Sequence, residues 1–229
     1  MPFSITTIVF LSLYVVAASL YVIFSAHYVV KIRAVAKPLL MLFLILAVMF
    51  TTYDLPMLIT GLLLDLFGDI VLLNRKSNKF FILGGLFFFM GHILYNAQFI
   101  VILAQKTQYF NYPLGIVLTI AELVVFASLF LMLFKYVFKL EGKLFLIVSA
   151  YFTTLFMLIP LAINLVIQAS IWSLFILGGV ILFAISDSLI YVDKFWKPNL
   201  KYRNFFVSIT YALAQILIVI GLILTILVI

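Results

Sequence analysis

The sequence predicts an all-α fold: a polytopic transmembrane helical bundle of eight spans, with both termini on the non-cytoplasmic side. Three observations predict it. Apolar residue types make up 68% of the 229 residues and mean hydropathy is +1.38. Charged types are only 9%, against about 25% in a soluble domain, so residues 1–229 read as one membrane domain. The few basic residues, finally, fall almost wholly between alternate apolar runs.

A spanning helix needs roughly 20 mostly apolar residues. Apolar runs between polar breaks give spans at about 4–27, 37–53, 56–74, 80–104, 112–135, 143–168, 171–192 and 203–228. The first starts without the basic segment and small-residue cleavage site of a signal peptide, so it is expected to be retained. The second opens at Lys37-Pro38, where proline suits a first helical turn. Only Tyr53-Asp54-Leu55-Pro56 separates it from the third, so a tight hairpin and a re-entrant pair are both open there. Asn164, Gln168, Ser170 and Trp172 mark a soft boundary between the sixth and seventh.

The basic residues orient the bundle. Lys31, Arg33 and Lys37 fall between spans one and two, and Arg75, Lys76 and Lys79 between three and four. Lys135, Lys139 and Lys143 follow span five; Lys194, Lys197, Lys201 and Arg203 follow span seven. Thirteen of the fourteen basic residues are thus on one side, with Lys106 alone on the other. The positive-inside rule makes that side cytoplasmic. The net charge of +7 is therefore a topology signal, with attraction to anionic lipid second, and no nucleic-acid partner is expected. The bilayer is the expected partner, the cytoplasmic (inner) membrane of a bacterium the expected location, and the sequence sets no oligomeric state.

Cysteine is absent, which excludes disulfides, thiolate nucleophiles and cysteine zinc sites. Chemistry is then sought in the acids. Asp65, Asp69 and Asp187 lie within spans, where an acidic side chain costs about 2.5–3.5 kcal/mol on insertion scales. At about 1.5 Å rise per residue, Asp69 lies roughly 9 Å and Asp187 roughly 10 Å inside the cytoplasmic boundary. Asp65, His92, Glu122, Tyr211 and Gln215 fall near the midplane. Asp65 and Asp69 share a face of span three; His92, Tyr95 and Asn96 share one of span four; Tyr211 and Gln215 share one of span eight.

Lipid offers these groups no partners, so they are expected to turn inward and meet in a polar cavity open to the cytoplasmic half of the membrane. Gly61, Gly68, Gly84, Gly85, Gly91, Gly178 and Gly179 would let the helices approach. A faint echo, Phe81-Ile82-Leu83-Gly84-Gly85 with Phe175-Ile176-Leu177-Gly178-Gly179, suggests internal symmetry. So does Gly61 preceding Asp69 by the same interval as Gly179 precedes Asp187. A structural role competes at each position. Asp65 and His92 stand open between bonding a neighbouring helix and acting on a ligand, Glu122 reads as a buried structural acid, and Asp54, Glu141 and Asp193 read as loop charges. For Asp69 and Asp187, at matched depth and each after a small residue, the functional reading is preferred.

The ordered set Lys37-Pro38-Leu39-Leu40, Gly61 through Gly68-Asp69, Gly91-His92-Ile93-Leu94-Tyr95, Ser186-Asp187 and Tyr211 through Ala214-Gln215 resembles the YhhN family, the lysoplasmalogenases. The resemblance implies an eight-helix membrane hydrolase that cleaves the vinyl-ether bond of a lysophospholipid, the lysoplasmalogen, to a fatty aldehyde and a glycerophospho-alcohol. Such hydrolysis starts with protonation of the β-carbon and needs both an acid and an anion. Two carboxyls in a low-dielectric cavity can supply both, because they resist ionising together. Asp69 and Asp187 are the expected catalytic pair, with His92 relaying protons or placing water. Lys37 would hold the substrate phosphate, and Asp65, Tyr95, Asn96, Tyr211 and Gln215 would line the substrate site.

No cofactor and no metal are expected: with two histidines, one of them His27 at a span end, a catalytic zinc site is disfavoured. No Gly-x-Ser-x-Gly elbow supports a serine hydrolase. The rival class is a proton-coupled transporter or lipid-binding membrane protein using the same buried acids.

Overall fold

The computed structural model describes residues 3–51, 55–74, 77–106, 142–195 and 201–228, with isolated helical positions between 120 and 132. Seven helices carry the described chain: α1 (Ile5–Ala26), α2 (Val30–Met49), α3 (Pro56–Val71), α4 (Asn78–Lys106), α5 (Gly142–Gln168), α6 (Ser173–Phe195) and α7 (Arg203–Leu227). A short 3-10 turn, Leu72–Asn74, extends α3. There is no strand among the described residues. Six of the helices, all but α3, are long and apolar enough to cross a membrane, so the chain is an integral multi-pass membrane protein. The predicted span at 112–135, with Glu122, falls almost entirely outside the described residues, as do Asp54 and Glu141.

Each helix packs on the next, and α7 returns to α1, closing a ring with α2 also touching α7. The helices are apolar outside and small or polar inside. On α1, Ile5, Ile8, Val9, Val15, Val16 and Ile23 are exposed, while Thr7, Tyr14, Ala17, Tyr21 and Ser25 are buried. That inversion of a soluble helix is what lipid demands: hydrocarbon satisfies the outer face and only protein can satisfy hydroxyls. Tyr14 accordingly donates to the Ala212 carbonyl at 2.6 Å. Ser4 caps α1, accepting from the Thr7 amide at 3.0 Å, and Ser4 and Thr7 both donate to the Phe50 carbonyl at the end of α2. Orphan groups at two helix ends are thereby satisfied together.

Small residues set the closest approaches. A Cβ on Gly61 would stand 2.8 Å from the Tyr95 ring, and one on Gly179 2.8 Å from the Ala214 carbonyl oxygen. The glycines eight positions before Asp69 and Asp187 are thus both contact points, α3 on α4 and α6 on α7. The longer echo does not extend to packing. Gly84 is tight against Leu72 and Gly179 against α7, but Gly178 faces open space and Gly85 meets only the Tyr191 hydroxyl at 3.6 Å. Gly178 therefore permits no approach, contrary to expectation.

Two boundaries differ from the sequence reading. The helix expected to open at Lys37-Pro38 begins at Val30, so Pro38 lies in its interior. Tyr28, in the left-handed region at φ 59°, helps turn α1 into α2 within three residues; Lys31, Arg33 and Lys37 are helical, not loop. Asp193 is likewise helical, near the end of α6, and pairs with Arg203 at the start of α7.

Candidate functional site

The buried polar groups converge where α2, α3, α5, α6 and α7 meet. On α3, Asp65 and Asp69 share the inward face and are fully buried. Asp69 Oδ1 is 2.6 Å from Lys37 Nζ on α2, and its Oδ2 accepts from the Tyr211 hydroxyl on α7 at 2.6 Å. The same ammonium lies 4.4 Å from the Tyr211 ring centroid, close enough for a cation–π contact. Lys37 is thus held from two sides, about two turns into α2 rather than at its start.

Asp187, on α6, is 5% exposed. Its Oδ2 accepts a hydrogen bond from the Tyr151 hydroxyl on α5. No hydrogen bond joins the two carboxyls among the described residues; each has its own tyrosine. His92 on α4 is fully buried, its ring between Tyr151 (centroids 5.2 Å) and Phe183 (5.1 Å, edge-on). Neither of its nitrogens has a partner among the described residues.

Three cavities join around these groups. One of about 20 Å³ is bordered by Asp187, Tyr151, Lys37, Tyr211 and Tyr191, room for about one water. A second of about 90 Å³ is bordered by Asp69, Lys37, Arg33, Tyr21 and Asn204, and shares Lys37, Leu72 and Ile190 with the first. It opens at the end of the bundle where α2 and α7 start and α3 and α6 finish. A third of about 250 Å³, between α4 and α5, is lined by Ile82, Leu86, Phe89, Ile147 and Val148 and shares Phe81, Gly85, Tyr151 and Tyr191 with the first. A polar recess, a water-sized pocket and an apolar groove therefore adjoin through shared walls, and Lys37 borders both the recess that holds Asp69 and the pocket that holds Asp187.

The YhhN family model matches residues 32–222. The chain belongs to the YhhN family. Neither a curated protein nor a solved structure matches it. The matched stretch of this YhhN protein holds every lining residue of the three cavities except Tyr21 and Val30.

Four of the residues expected to line the substrate site turn out to tie helices of the YhhN bundle together. Asp65 Oδ2 accepts from Tyr95 at 2.7 Å and from Gln215 Nε2 at 2.9 Å, joining α3, α4 and α7. Asn96 donates to the carbonyls of His92 and Thr154 at 2.8 and 2.9 Å, joining α4 to α5. None of the four borders the three cavities. Lys37, Asp69, Asp187 and Tyr211 do border them.

Sequence reasoning missed Tyr151, Tyr191 and Arg33. Tyrosine counts as apolar in a hydropathy reading, and Tyr151 sits in an otherwise hydrocarbon run. Tyr191 had a signal, its position one turn after Asp187 on the same face. Arg33 was read only as a topology charge.

Proposed function

We propose that this YhhN protein is a lysoplasmalogenase: a membrane hydrolase that cleaves the vinyl-ether bond of a lysophospholipid-type substrate. The observation that carries the reading is the water-sized pocket bordered by Asp187 and Lys37 between a polar recess and an apolar groove. An amphiphile laid along that series puts its headgroup at the basic end, its chain between α4 and α5, and the bonds below its glycerol at Asp187.

Asp187 is the proton donor. One of its oxygens takes the Tyr151 hydroxyl, leaving the other to carry a proton. Transfer of that proton to the β-carbon of the vinyl ether turns the α-carbon and its oxygen into an oxocarbenium ion. The aspartate left behind is the counter-charge. Water from the pocket attacks the α-carbon and returns a proton to Asp187, giving a hemiacetal. Its collapse breaks the bond to the glycerol oxygen, which takes a proton, and frees the fatty aldehyde. Asp69 neutralises Lys37, so the cation does not oppose the positive intermediate, and Lys37 and Tyr211 orient the water. His92 buttresses Tyr151 from behind.

Eight spans with both termini outside complete the reading, α3 with its 3-10 extension and the 112–135 segment joining the six long helices. The basic end of the bundle then faces the cytoplasm, in a bacterial inner membrane. A transporter would favour broken helices in both halves. Interior prolines do occur in α2 and α5, but both helices run on through them.

Hydrolysis by purified protein in detergent and heavy water tests the chemistry, since transport needs sealed vesicles. Protonation at carbon leaves one solvent deuterium on the carbon beside the aldehyde. Turnover without that label, or no turnover of any vinyl-ether lysolipid by folded protein, contradicts the proposal.

A further inference from the structure

Among the described residues, the recess at the basic end of the bundle contains a cation without a counter-charge. Its wall carries Arg33, Lys37, Asp69, Tyr21 and Asn204. Lys37 is paired with Asp69. Arg203, at the neighbouring start of α7, is paired with Asp193 and donates to Asn204 Oδ1 at 2.7 Å. Arg33 has no such partner among the described residues, and the charge acting between it and α7 is that of Arg203, of the same sign. Two of the three cations are cancelled and one is left over, half-buried, where like charges repel more strongly than in open water.

At about 90 Å³ the recess admits a group well beyond one water. A planar guanidinium with free donors is the side chain best matched to phosphate oxygens, which it can take two at a time. The recess adjoins the Asp187 pocket, and that pocket the apolar groove, which makes the phosphate that of an amphiphile.

We propose that Arg33, rather than Lys37, binds the phosphate of the lipid headgroup, and that the recess selects phosphate-bearing over neutral single-chain lipids. This rests on the reading of the site as one for lysophospholipids, but its test does not depend on hydrolysis. The ligands are a saturated-ether lysophosphatidylcholine and the matching alkylglycerol, neither of which has a vinyl bond to cleave. Binding of each to the full chain in neutral detergent is measured for wild type, Arg33→Gln and Arg33→Lys, with and without inorganic phosphate.

Wild type is expected to prefer the phospholipid by about tenfold or more, the worth of a charge-assisted contact. Arg33→Gln is expected to abolish most of that preference while still binding the alkylglycerol, which also shows that the variant is folded. Arg33→Lys keeps part of the preference, and inorganic phosphate competes with the phospholipid alone. Equal binding of the two lipids by wild type, or an unchanged preference in Arg33→Gln, overturns the assignment. So does a site occupied by inorganic phosphate with no preference between the lipids, which would make it a free-phosphate site.

Discussion

Lys37 Nζ lies 2.6 Å from Asp69 Oδ1, and the hydroxyl of the tyrosine beneath that ammonium, Tyr211, donates to the other oxygen of the same carboxylate at 2.6 Å. One buried ion pair thus locks α2, α3 and α7 around the pocket. Removing one partner of such a pair is costlier than removing both, because the survivor stays buried and uncompensated. Lys37→Met is expected to lose about 3–5 kcal/mol, and Lys37→Met with Asp69→Asn to recover most of it. Chemical unfolding in detergent measures both, and equal losses in single and double variants would refute the coupling.

Neighbouring glycines on α6 should respond oppositely. A Cβ on Gly179 meets backbone atoms of Ala214 and Ile218 at 2.8 and 2.9 Å, whereas one on Gly178 meets nothing. Gly179→Ala is expected to cost about 1–3 kcal/mol as overpacking. Gly178→Ala should stay within about 0.5 kcal/mol of wild type. Melting temperatures of the two variants decide the point, and comparable losses would place the α6–α7 contact wrongly.

Tyr95 and Tyr151 each donate to a buried aspartate but serve different ends. Tyr95→Phe leaves Asp65 short of a donor and should cost about 1–3 kcal/mol of stability with turnover nearly unchanged. Tyr151→Phe should lower turnover about tenfold, the worth of one hydrogen bond to the reacting acid, with a KM close to wild type. Steady-state kinetics beside unfolding curves separate the two; a Tyr95→Phe variant with the larger kinetic defect would reverse the assignments.

The absence of cysteine makes orientation directly measurable with single introduced thiols. Cysteines replacing Lys79 and Lys201 are expected to resist an impermeant maleimide in intact cells and react after lysis. A cysteine replacing Pro2 should react in intact cells. The opposite pattern would invert the bundle.

Much of this arrangement was legible because the bilayer punishes exceptions. Long hydrocarbon runs marked most helices to within a few residues, and the inward faces carrying Asp65 with Asp69 and Tyr211 with Gln215 followed from helical spacing alone. What misled was the treatment of charge and proline as boundaries. Long basic side chains can reach the interface from within a helix, and the recess beside Ala34 makes an interior Pro38 tolerable, so α2 starts two turns earlier than its sequence suggests. The partners of the aspartates were not legible. Spacing says which side chains share a face, but not that Asp65 turns to Tyr95 and Gln215 while Asp187 turns to a tyrosine on α5.

Aldehyde release by purified, folded Asp187→Asn is the most direct measurement of the central claim, that this side chain delivers the proton. An amide fits the same space and can still take the Tyr151 bond, but it is no acid. The expected result is a loss of about a hundredfold or more, with binding of a saturated-ether lysolipid retained. A variant that binds that lipid and still releases aldehyde at the wild-type rate would contradict it.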